Sequence, residues 1–93
     1  MAMFAIRVEL HSATSADYSK LADALRVHGI VDTVVSGDRV RYKLPPAEYH
    51  YDGNATTSQV HESAKAAAGT TGRQFAVVTH QVSNMLWSGL ARA

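Results

Sequence analysis

The sequence predicts an α+β sandwich in which two helices cover one face of an antiparallel sheet. Three observations predict it. Phe4, Ile6, Val8 and Leu10 alternate with Ala5, Arg7, Glu9 and His11, the period-two signature of a half-buried strand. Two later stretches carry apolar residues at helical spacing behind Thr-x-x-Asp and Thr-x-x-Gln pairs. Strand-like runs follow each helix, so the order reads β-α-β-β-α-β. Two split βαβ units in that order make a ferredoxin-like sandwich.

Each element has its own warrant. Thr14 and Asp17 form a capping box, after which Tyr18, Leu21, Ala22 and Leu25 recur along one helical face until Gly29 supplies a stop. Ile30–Val35 is rich in β-branched residues, and the Ser36-Gly37-Asp38 loop joins it to a run from Arg39 to Leu44, which reads as a hairpin. Pro45 and Pro46 close that third strand because neither can donate to a ladder. The stretch LPPAEYHYDGN, Leu44–Asn54, raises two readings: extended, it would line Glu48, His50 and Asp52 along one side as a metal or acid–base cluster, with the tyrosines on the other; placed in this order it reads as a connector, with Asp52-Gly53-Asn54 as its turn and the polar trio facing water. Thr56 and Gln59 cap a second helix whose stripe is Val60, Ala64, Ala67 and Ala68, small enough to let the helix lie close to a sheet. Gly69 and Gly72 end it. Gln74–His80 is the fourth strand, and Met85-Leu86-Trp87 a short fifth.

The 93 residues make a single domain, 1–93, with one modest core. With 46% hydrophobic and 18% charged residues the chain is globular in composition. Nine basic residues against eight acidic ones give a net charge of +1, which by itself does not mark a nucleic-acid binder. No cysteine is present, which excludes disulfides, a thiolate nucleophile and a cysteine zinc site. The N-terminal residues lack a charged leader followed by an apolar stretch, and no apolar run approaches the roughly 18 residues of a membrane helix. A cytoplasmic protein without a membrane partner is the expectation. The small core makes a homodimer plausible, since pairing buries area that a monomer of this size leaves exposed.

Placed on this topology, the first and third strands lie side by side and present a face away from the helices. That face gathers Arg7, Arg39, Arg41 and Lys43 around Glu9 and His11, a cluster the net charge hides. The cations could hold phosphate oxygens, with Glu9 and His11 as a proton-transfer pair. The same residues could equally form a solvated or dimer-buried face with weak cross-strand ion pairs. The aromatics that RNA-recognition modules present on these strands are absent, which argues against base stacking on the sheet. The five histidines are scattered, with no His-x-x-x-His or Glu-x-x-His pair, so no metal site is expected by motif. Phosphate-loop, dinucleotide and Gly-x-Ser-x-Gly patterns are also absent. Leu86 and Trp87 could pack on the chain's own core or reach a second subunit by strand addition.

The segments FAIRVELH, LPPAEYHYDGNATTSQV, AKAAAGTTGRQFAVV and LWSGL together resemble a family of short bacterial and phage-associated proteins grouped with the GhoS-type endoribonuclease antitoxins of type V toxin–antitoxin systems. The resemblance spans nearly the whole chain in element order, and AEYHYDGNATT is its most distinctive piece. It implies a fold similar to the small dimeric nucleases of CRISPR adaptation, and cleavage of a toxin's single-stranded messenger RNA. It brings no small-molecule cofactor, and Mg²⁺ only if the protein is a nuclease. Where those nucleases carry an aspartate at the end of the first strand, this chain has Glu9-Leu10-His11. Two expectations follow. One is an RNA-binding, ribonuclease-like antitoxin using Arg7, Arg39, Arg41 and Lys43 for phosphates and Glu9 and His11 for catalysis. The other is a non-catalytic homodimeric interaction module.

Overall fold

The computed structural model describes residues 2–93. Its elements are β1 (Ala2–Leu10), α1 (Ser15–Val27), β2 (Thr33–Val35), β3 (Arg41–Lys43), β4 (Glu48–Gly53), α2 (Thr57–Gly69) and β5 (Phe75–Val82). β1 is the centre of a three-stranded antiparallel sheet in the order β4-β1-β5. A fourth position exists only as a single bridge, where Val31 pairs with His50 on the outer side of β4. The sheet order is therefore the ferredoxin-like one, with its outermost strand cut to one residue. After Val31 the chain leaves the sheet, and β2 pairs with β3 in a separate ribbon.

The alternation in β1 does what period two requires. Phe4, Ile6, Val8 and Leu10 are buried under the helices, and they meet Leu21 and Leu25 of α1 and Val60, Ala64, Ala67 and Ala68 of α2 in one cluster. Both capping boxes form. Thr14 Oγ1 accepts from Asp17 N–H at 3.3 Å while the Asp17 carboxylate accepts from Thr14 N–H at 2.9 Å, and Thr56 and Gln59 repeat the exchange at 3.1 and 2.9 Å. Gly29, at φ +77°, ends α1 in a Schellman motif: its N–H reaches Arg26 O at 3.0 Å, and Ile30 N–H reaches Leu25 O at 3.1 Å. Ile30 and Leu25 are both buried, the apolar contact that accompanies this cap. Tyr18 ties α1 to the sheet by accepting from Leu10 N–H at 3.0 Å.

Two expectations need correction. The strand beside β1 is Glu48–Gly53, inside the stretch read as a connector, and not the run from Arg39 to Leu44. The prolines explain it. Glu48 N–H donates to Pro45 O at 3.2 Å, with Pro46 at the second turn position and Ala47 at φ +69° at the third, the pattern of a type II turn. This turn reverses the chain and delivers it to β1 as a strand. Val8 N–H to Ala47 O at 3.0 Å carries the ladder into the turn. Tyr49 and Tyr51 point to the core side, Tyr51 tilted against Phe4 with ring centroids 6.0 Å apart. The second correction concerns Met85-Leu86-Trp87, which forms no strand. Strand pairing comes later, at Ala91–Ala93, which lies along β3 through Lys43 N–H to Ala91 O at 2.9 Å and Ala93 N–H to Arg41 O at 3.0 Å.

Candidate functional site

The sheet face away from the helices is a grid whose rows are set by register. Across β4, β1 and β5 the rows read Asp52-Met3-Val82, His50-Ala5-His80 and Glu48-Arg7-Val78, then Glu9 beside Ala76. Thr79, next to His80, points the other way, its hydroxyl 2.8 Å from His61 Nδ1 on α2, which confirms the facing of β5. Two imidazoles thus flank a methyl group, with a guanidinium in the adjoining row. Adjacent strands lie about 4.8 Å apart, so His50 and His80 stand about 10 Å apart at the backbone, within reach of one group seated over Ala5.

Arg7 and Glu9 lie on this face, both exposed. His11 falls beyond the strand, where its N–H donates to Gln74 O at 2.8 Å and its side chain is exposed. The expected union of Arg7 with Arg39, Arg41 and Lys43 does not occur, because those three belong to the ribbon. Arg39 sits in the turn after β2 at φ +65°, where its N–H closes onto Ser36 O at 2.9 Å and the Ser36 hydroxyl bonds Asp38. The Arg41 guanidinium donates to Thr33 Oγ1 at 2.8 Å, and Lys43 Nζ lies 4.0 Å from the Asp32 carboxylate. Leu86 is 95% exposed, and Trp87 is tilted against Tyr42 at 6.2 Å. Sequence reasoning weighs His50 with Glu48 and Asp52 as one side of an extended stretch but settles on a connector, and it leaves His80 as a strand end. The structure keeps that alternation as a strand and brings His50 into one row with His80.

Because the ribbon leaves the sheet after Val31, a groove of about 370 Å³ opens between it and the exposed face of β4. Met3, His50 and Asp52 form one side, Val35 and Arg41 the other, and Asn84, Met85 and Trp87 from the segment after β5 close it. Burial holds the His50 imidazole below its ordinary 6.5, opposed by the Asp52 charge. A larger cleft of about 550 Å³ lies between α1 and the Pro45–Pro46 turn, where burial, helped by the Asp32 charge and Tyr18, pushes the Tyr49 phenol up to about 12. Its cations already have partners: Arg26 pairs with Asp23 at 2.6 Å, and Lys43 faces Asp32. The groove beside His50 is the chemically open one.

Among the described residues no three His, Asp or Glu side chains converge to hold a metal ion. Fold and face together define a small ferredoxin-like α+β domain with an uncovered, titratable sheet surface. No protein-family model matches the chain, and no curated protein matches its sequence. Among the described residues no helix is long and apolar enough to cross a membrane.

Proposed function

We propose that this protein is an RNA-binding domain of ribonuclease type acting on single-stranded RNA, the activity its resemblance to the GhoS-type antitoxins implies, with a toxin's messenger RNA as the class of substrate. The observation that carries the reading is the row His50-Ala5-His80 with Arg7 one row away. RNA cleavage needs a base for the 2′-hydroxyl, an acid for the leaving 5′-oxygen, and a cation for the phosphorane between them. His50, whose neutral form is favoured by burial, takes the 2′-hydroxyl proton. The 2′-oxygen attacks phosphorus, the bond to the 5′-oxygen breaks, and His80 donates its proton to that oxygen. The products are a 2′,3′-cyclic phosphate and a free 5′-hydroxyl. Ala5 leaves room for the phosphate, and Arg7 faces its non-bridging oxygens.

A non-catalytic homodimeric module is the second reading. One observation favours it: the outer edge of β5 has no partner strand among the described residues, and Val78 beside it is 49% exposed. The test incubates pure protein with mixed single-stranded RNA, with Mg²⁺ and with EDTA, beside His50→Ala, His80→Ala, Glu9→Ala and His11→Ala. Cleavage that disappears in the first two and survives in the last two is expected. Loss only in Glu9→Ala and His11→Ala moves the acid–base pair to the end of β1. Intact RNA with the wild type leaves the interaction module as the function.

A further inference from the structure

We propose that the groove closed by Trp87 is a nucleobase pocket that prefers guanine, with the indole as stacking plate and the Asp52 carboxylate reading the base edge. The inference rests on the RNA reading for the source of its ligand and on the groove for its chemistry.

At about 370 Å³ the groove is at the small end of ligand sites, a size that suits a single planar ring system. Its walls are mostly apolar, from Met3, Val31, Val34 and Val35 to Met85, and offer van der Waals surface to a ring face. Trp87 has only its tilted contact with Tyr42 as an aromatic neighbour among the described residues, and stacking on an aromatic side chain is a general way proteins hold an unpaired base. The stacking plate therefore comes from the segment after β5, although the sheet itself offers no aromatic on its open face.

The polar groups choose the base. Among the described residues the side chains of Asp52, His50 and Asn84 make no hydrogen bond within the chain, although all three line the groove. A carboxylate is an acceptor at both oxygens. Guanine alone among the RNA bases presents two adjacent N–H donors, at N1 and N2, so only guanine pairs with Asp52 through two bonds. Adenine, cytosine and uracil would leave one carboxylate oxygen without a partner. The Arg41 guanidinium gives one N–H to Thr33 and keeps others for a phosphate at the rim.

The chain has a single tryptophan, so its fluorescence reports on this groove alone. The protein is titrated with guanosine monophosphate, adenosine monophosphate, ribose 5-phosphate, and uridine oligonucleotides with and without one guanosine. Guanosine monophosphate should quench saturably and bind about tenfold more tightly than the adenosine nucleotide, the size of one bidentate base-edge contact. Ribose 5-phosphate should leave the emission unchanged. Asp52→Asn, which keeps the shape and removes one acceptor, should erase the guanine preference while quenching by both nucleotides remains. Equal affinity for both nucleotides in the wild type overturns the edge reading, and no saturable quenching by either overturns the pocket. RNA that binds or is cleaved without quenching leaves the RNA function standing and removes this site. Quenching by free guanosine monophosphate alone, with no effect of either oligonucleotide, keeps the pocket and removes RNA as its source.

Discussion

Replacing Gly53 by alanine should destabilise the protein through one identifiable collision. Gly53 is buried at the end of β4, and a Cβ there would stand 2.7 Å from Tyr51 Oη and 2.9 Å from both Cε2 and Cζ. The ring cannot simply swing away. Its other edge lies against Gly29, where a Cβ would be 3.3 Å from Tyr51 Cε1, and its centroid is 6.0 Å from that of Phe4. Overpacking of this kind costs about 1–3 kcal/mol. The opposing term is the reduced freedom of the unfolded chain, which favours alanine by about 0.4–1 kcal/mol. The clash wins, leaving a net loss of about 1–2 kcal/mol, or a Tm lower by about 5–15 °C for a domain of this size. Thermal unfolding followed by circular dichroism measures it, in a cycle with Tyr51→Val, which removes the ring. With Tyr51→Val already present, the added alanine should cost nothing. An unchanged Tm for Gly53→Ala, or the same penalty with and without the tyrosine ring, would refute the wedge.

Three further outcomes follow from the same geometry. His50 is held below its ordinary value by burial, against the Asp52 charge on its own strand and with Arg41 across the groove. The unfolded chain therefore binds the proton more readily, so stability is fully present above pH 6.5 and falls as pH drops from there through the folded-state value. Urea midpoints between pH 7.5 and 5 should show this decline, and His50→Asn should flatten it. Ala47→Gly should raise stability by about 0.5–1 kcal/mol, because the left-handed conformation at φ +69° costs an L-residue more than glycine's extra chain entropy, as a urea titration will show. On the proposed RNA reading, Arg7→Gln should weaken RNA binding and lower the slope of log affinity against log salt by about one, since it would remove one phosphate contact; an unchanged slope takes Arg7 off the RNA path.

What the sequence made legible was local. Thr14 with Asp17 and Thr56 with Gln59 set both helix starts, because a capping box closes within four residues and needs no other part of the chain. The four alternating apolar residues of β1 named a third of the core cluster for a similar reason. Strand choice is different, because a strand earns its place by pairing with residues far along the chain. The β-branched run Ile30–Val35 has the stronger propensity, yet it contributes only Val31 to the sheet, and the weaker-looking Glu48–Gly53 takes the place beside β1.

That exchange of strands moves the chemistry. With Arg39–Leu44 beside β1 the open face would be a basic patch, and Glu9 with His11 its natural acid–base pair. With Glu48–Gly53 there, the neighbours of Ala5 and Arg7 become His50 and Glu48, and Arg39, Arg41 and Lys43 leave with the ribbon, Arg41 alone lining the far side of the groove. The cause is a single turn. In Pro45-Pro46-Ala47 the missing proline donors stop one ladder, while the fixed φ of Pro46 starts the reversal that begins the next. A proline pair therefore marks where pairing changes partner as readily as where it ends. The alternation that follows it, polar at 48, 50 and 52 with tyrosine at 49 and 51, is the feature that separates the two cases. A plain connector has no reason to keep period two, whereas a strand with one face on the core and one face open requires it.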